Sequence, residues 1–167
     1  LTLPASTGTV ALTSTAVQTH LTTTSSQSNT ASVRTNILGL NATITPSTTS
    51  KRVKITIRWN GEHSNTSAHN QVFGIKRDTT DIGNPAASGS LTVGMAIVAM
   101  GYYAAEASTT PDSATYIYID SPATTSATTY HATYLALNGG TLYNQRTVLD
   151  SGTAERLTSN IILEEID

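Results

Sequence analysis

The run Lys51 to Trp59, KRVKITIRW, constrains the fold more than any other stretch of the chain. Val53, Ile55, Ile57 and Trp59 share one parity, and Lys54, Thr56 and Arg58 the other. A period of two sends alternate side chains to opposite faces of an extended strand. One face is apolar and ends in the only Trp of the chain, while the other carries two cations and a Thr. Such a segment is a half-buried antiparallel strand. Its apolar face needs a second layer to cover it.

The rest of the chain supplies candidates for that layer. Thr9 to Thr13 alternates briefly after Pro4 and Gly8. Ala16–Thr24 reads as a first strand, and Ser25–Thr30 as a polar loop. Ser32–Ile37 and Leu40–Thr45 read as two short strands, the second with Leu40, Ala42 and Ile44 on one face. Asn60-Gly61 is a strong turn dipeptide, so 60–70 is expected to be a polar loop. Gln71–Lys76 is a strand, Arg77–Gly89 a loop, and Ala114–Asp120, Thr129–Leu137, Thr141–Thr147 and Leu157–Ile166 further strands. Short strands at spacings of roughly ten residues, with turn chemistry between them, predict an all-β fold. The expected architecture is an antiparallel jelly-roll β-sandwich of about eight to ten short strands. It would span residues 16–167, with 1–15 an extended arm or inter-domain linker.

Composition decides whether such strands fold at all. Hydrophobic residues make up 38% and charges 12%, both low, and Ser with Thr supply about three residues in ten. Low hydrophobicity produces disorder when net charge is high, but here it is only −2. Thr is β-branched and suits the outer face of a sheet. The core is therefore modest, and association with further copies would add to it. The near-neutral charge argues against nucleic acid as a partner. No run approaches the ~20 apolar residues of a membrane-spanning helix. Without Cys there is no disulfide and no thiolate metal site.

Two segments carry more apolar surface than one core needs. In Ser90–Tyr103, SLTVGMAIVAMGYY, Leu91, Val93, Met95 and Ile97 lie on one face and Val98 and Met100 on the other. A strand apolar on both faces is buried on both, which makes Val98 and Met100 candidates for a subunit interface. In Tyr116–Ile119 the expectation is Ile117 and Ile119 in the core, with Tyr116 and Tyr118 on an inter-subunit face.

Catalytic motifs are harder to find. The four histidines, His20, His63, His69 and His131, show no metal-ligand spacing. His63 and His69 share one predicted loop with Glu62 and Asn65, a pattern that suits a solvated loop or a ligand-contacting one better than a metal. Asp78 and Asp81 are explained by turn formation as well as by Ca²⁺. Glu164 and Glu165 are adjacent, so a strand sends them to opposite faces and they cannot act as an acid–base pair. No cofactor is implied. Lys51, Arg52, Lys54, Arg58, Lys76 and Arg77 read as a solvated strand face. The alternative is contact with an acidic polymer, or with Glu164, Glu165 and Asp167 of a neighbouring chain.

Three stretches together resemble bacteriophage tail-fibre and related virion proteins. They are LTLPASTGTVALTS at 1–14, LNATITPSTTSKRVKITIRW at 40–59, and YIDSPATTSATTYHATYLA at 118–136 followed by a terminal strand through Ile162–Ile166. The acidic ending LEEID departs from the pattern. The resemblance implies a trimeric jelly roll of the complement-globular-head and tumour-necrosis-factor type on the exterior of a virion. It implies a homotrimer whose distal loops meet the host. These would be 60–70, with His63, Asn65 and His69, and 101–113, with Tyr102 and Tyr103 as sugar-stacking rings.

The expected function is therefore a non-enzymatic tail-fibre terminal domain that attaches to the host cell surface. Its partners would be itself, other virion proteins and a host glycan or protein, with no membrane insertion. A capsid decoration (cement) protein stabilising the head is the alternative, and a glycan depolymerase is the remote one.

Overall fold

In the computed structural model the described residues are 15–64, 69–100 and 109–167. They form eleven strands. These are β1 (Ala16–Leu21), β2 (Ser25–Asn29), β3 (Thr35–Ile44), β4 (Arg52–Ser64), β5 (His69–Arg77), β6 (Thr80–Ile82), β7 (Ala96–Met100), β8 (Asp112–Asp120), β9 (Thr128–Ala136), β10 (Gly140–Asn144) and β11 (Ser159–Ile166). Among the described residues there is no helix. Apart from Thr15, whose carbonyl accepts from Glu165 N–H, the expected arm lies outside the described residues.

Two antiparallel sheets pack as a sandwich. The first is built on β4, whose one edge pairs with β8. The other edge is shared, β11 taking Arg52–Arg58 and β10 taking Gly61–Ser64, with β1 and β2 outside them. The second sheet runs β3-β9-β5, and the free edge of β5 is likewise shared by β7 and β6. From β3 to β5 the chain changes sheet at every step, and β8, β9 and β10 do so again. The resulting orders, β1-β11-β4-β8 and β3-β9-β5-β6, are those of the expected jelly roll.

The key strand behaves as its alternation demands. Val53, Ile55, Ile57 and Trp59 point into the sandwich and are buried. The Trp59 ring lies 5.0 Å from Phe73 on the facing sheet, and Phe73 lies 6.4 Å from Tyr116. Trp59 Nε1–H donates to Asn144 Oδ1 at 2.8 Å, so its one polar atom is satisfied in the core. Leu40, Ala42 and Ile44 share the buried face of β3, and Tyr130, Ala132 and Tyr134 that of β9.

Several expectations need correction. Asn60-Gly61 is no turn, because β4 runs straight through it. Asn60 is held by Ser159 and Thr158, and a Cβ on Gly61 would sit 2.1 Å from Tyr143 O and 2.7 Å from Trp59 Cζ2. Glycine is needed there for close approach of backbone and ring, not for reversal. Ser25–Asn29 is a strand, because main-chain pairing with β10 outweighs its weak side-chain propensity. Ser32–Ile37 and Leu40–Thr45 merge into β3, whose pairing with β9 shifts register between Asn36 and Asn41.

The Tyr and Ile residues of β8 have exchanged the places expected of them. Tyr116 pairs with Ile57 and Tyr118 with Ile55, so both face the core; Ile117 and Ile119 are 57% and 45% exposed. Tyr116 O–H reaches across the sandwich to donate to Gly74 O at 3.1 Å. Of the apolar run 90–103 the structure describes 90–100, and within these the strand is β7 alone. Val98 is buried in this chain's own core, while Ile97 and Leu91 are 57% and 69% exposed. Residues before β7 cross the outer face of β5 instead, with Gly94 pressed so closely that a Cβ would lie 2.0 Å from Val72 Cγ1.

Candidate functional site

The site grows from the turn that opens β3. Ser32 adopts a left-handed φ of 60° and donates its N–H to Ala136 O at the end of β9. That turn delivers Arg34 onto the outer face of the second sheet. Gly74 makes the slot for it, since a Cβ there would stand 2.6 Å from Arg34 Nη1. Arg34 Nη1 donates to Thr133 Oγ1 at 3.2 Å and Nη2 to Val93 O at 2.5 Å, and Nε faces Asp81 Oδ1 at 3.7 Å. The Arg34 side chain is only 10% exposed, the Asp81 carboxylate 44%. Burial pushes the guanidinium below its ordinary pKa, and the Asp81 charge works the other way.

Above this pair lies an open depression of about 480 Å³, bounded by the turn before β3, the connection from β6 to β7, and the end of β9. Asp81, Asn84 and Thr92 supply polar groups, and Leu91 and Leu135 an apolar side. Asn84 Oδ1 is buried and accepts no hydrogen bond among the described residues. A mixed lining with a few convergent polar groups is what small-molecule sites share. The groups can bind and orient a ligand, since both charges are already engaged with each other.

Other buried charges hold the fold. Asp120 accepts both Arg77 Nη1–H, at 3.0 Å, and Tyr130 O–H, at 2.8 Å, linking β8 to the opposite sheet. Glu62 is fully buried on the outer side of β4, where it accepts from Val148 N–H at 2.7 Å and from Thr110 O–H at 2.9 Å. Burial, and then the Glu62 charge, raise the pKa of the Asp112 carboxyl. No group of three or more His, Asp or Glu among the described residues could hold a metal ion.

Of the residues singled out in the sequence, His63, Val98, Tyr116 and Tyr118 do not line this depression. His63 lies in β4 and is buried; His69 begins β5, paired with Met100 of β7. Asn65, Tyr102 and Tyr103 lie outside the described residues. Val98 and Tyr116 are core residues and Tyr118 packs against the core, so none of the three presents an outward side chain. The acidic tail finds its cations within the same chain. Lys54 pairs with Glu164 at 2.7 Å, Lys51 with Asp167, and Arg52 with the Asp167 carbonyl. Glu165 is buried, its carboxylate accepting Ser47 O–H and N–H. Glu164 and Glu165 do lie on opposite faces, as their adjacency requires.

Arg34 and Asn84 escaped sequence reasoning. The available signal was a lone cation in SVRTNI, a segment otherwise suited to a strand.

A second surface is visible on the outer face of the first sheet. Ile117 lies beside Thr56 and then Ile162 across three strands, and Ile119 beside Lys54 and Glu164. Only Lys54 and Glu164 carry charge in these two rows, and they neutralise each other.

Compared with models of known protein families and with curated proteins, the chain matches none.

Proposed function

We propose that the chain is a non-enzymatic attachment domain on the exterior of a bacteriophage virion. It works as a homotrimer, as the terminal domain of a tail fibre that binds the host cell surface. One observation carries this reading: the outer face of the first sheet exposes isoleucines, and that of the second carries a ligand-sized depression. The first sheet exposes Ile117, in line with Thr56 and Ile162, and Ile119 on the next row, a surface suited to sealing against sister copies. The second sheet carries the ligand-sized depression at Arg34, with its mixed polar and apolar lining. A fibre tip needs both, one face to assemble and one to meet its receptor. The resemblance of 1–14, 40–59 and 118–136 to virion proteins gives the biological setting.

Sedimentation tests the assembly. The wild-type chain is expected at three times its 17.5 kDa mass at micromolar concentration. The double variant Ile117→Lys, Ile119→Lys is expected to be a folded monomer. Labelled trimer is expected to adsorb to the surface of a susceptible bacterium. A wild-type monomer, or a trimer that adsorbs to no bacterial surface, overturns the reading.

A further inference from the structure

We propose that the depression at Arg34 is a subsite for one uncharged pyranose ring of a glycan. For the source of that glycan the proposal rests on the attachment reading; for the binding chemistry it rests on the site alone. A pyranose offers hydroxyl donors and acceptors around its edge and patches of C–H on its faces. The depression offers the complement. The Asp81 carboxylate is half exposed and accepts hydroxyl protons, and Thr92 can donate or accept. Leu91 and Leu135 provide the apolar side for a C–H face. The volume of about 480 Å³ falls within the range of small-molecule sites.

Two further observations narrow the ligand. The Arg34 guanidinium already faces Asp81 and donates to Thr133 and Val93 O, so no uncompensated positive charge awaits an anion. An uncharged sugar is favoured over a uronate or a phosphate. Asn84 Oδ1 is buried without a donor among the described residues, a state that is unfavourable for an amide oxygen. Rotating the amide to accept a ligand hydroxyl relieves it, so binding gains where the empty site loses. No aromatic ring lines the depression among the described residues, so stacking adds nothing. A single site should be weak, with Kd on the order of 1 mM. Three copies on one fibre tip would bring the avidity that each site lacks.

The test is a nuclear magnetic resonance titration of the full chain. Methyl glycosides of glucose, galactose and mannose serve as uncharged probes, and methyl glucuronide as the anionic one. At least one uncharged glycoside should shift the amides of Ser32–Arg34, Asp81–Asn84 and Leu91–Val93. Asn84→Ala and, separately, Thr92→Ala should weaken that binding by about 10-fold, each from a partly exposed wall position. No shift at these amides up to about 50 mM glycoside overturns the proposal. So does tighter binding of the glucuronide, or unchanged affinity in both variants. The two readings fail separately. Glycoside binding here without adsorption to any bacterial surface sinks the attachment reading and leaves the subsite. Adsorption that persists with no glycoside shifts sinks the subsite and leaves the attachment.

Discussion

Gly61 and Glu165 owe their meaning to neighbours far away in the sequence. At Gly61 a methyl group would meet both a carbonyl oxygen of β10 and the Trp59 ring, neither of which can move freely. Gly61→Ala should therefore destabilise the chain by about 2–3 kcal/mol, read from the denaturation midpoint at constant m-value. A tolerated substitution would mean that β10 approaches less closely. At Glu165 the side-chain and then the backbone donor of Ser47 hold the carboxyl below its ordinary pKa of 4.5. A depressed carboxylate contributes stability that is complete above the unfolded pKa and lost as pH falls through the folded one. The melting temperatures of wild type and Glu165→Gln should differ most above about pH 5 and converge as the pH falls below the lowered value. A difference independent of pH would assign Glu165 a purely steric role. Neither role was legible beforehand. An Asn-Gly pair has the same local chemistry in a turn and in a strand, and nothing near Glu165 in sequence names Ser47.

Among the elements, alternation located β4, β8 and β9 and was an incomplete guide to their faces. The period of two in β4, β8 and β9 correctly separates two sides of each strand. Which side is inward depends on the neighbour. In β4 the apolar side is unmistakable, and β8 inherits its orientation from pairing Tyr116 with Ile57. The residues themselves pointed the other way, since Ile is the more apolar. Tyr fits the interior here because its hydroxyl spans the sandwich to a backbone oxygen. The same strand ends in Asp120, which ties β8 to Arg77 of β5 and Tyr130 of β9. Removing the buried carboxylate leaves the Tyr130 hydroxyl and the partly exposed Arg77 without their acceptor. Asp120→Ala should cost about 3 kcal/mol, and Tyr130→Phe about 1 kcal/mol, because in the latter Asp120 loses one hydrogen bond and keeps its ion pair with Arg77. Equal losses in thermal or chemical unfolding would show that the hydroxyl, and not the charge pair, joins the sheets here. The Arg34 site was illegible for a related reason. Its walls come from the turn before β3, the connection after β6 and the end of β9, brought together only by the double crossing of the roll.

At the scale of the whole molecule, the two outer faces divide the work proposed for them, and the division can be tested in one comparison. If sister copies seal the first sheet, assembly and folding are linked, and the melting temperature of the wild type should rise with chain concentration. In the Ile117→Lys, Ile119→Lys variant that dependence should vanish, since a monomer's stability is indifferent to its concentration. The depression at Arg34 lies on the opposite sheet and includes neither Ile117 nor Ile119. The variant should therefore bind a methyl glycoside with the affinity of the wild type, measured per chain. Its adsorption to a cell surface should nevertheless fall by about 10²–10⁴-fold, because three weak sites no longer act together. Glycoside affinity that falls along with adsorption would couple the two faces and place the ligand site at the subunit boundary. Adsorption that survives in the monomer would mean that one site suffices, and the trimer would lose its part in attachment.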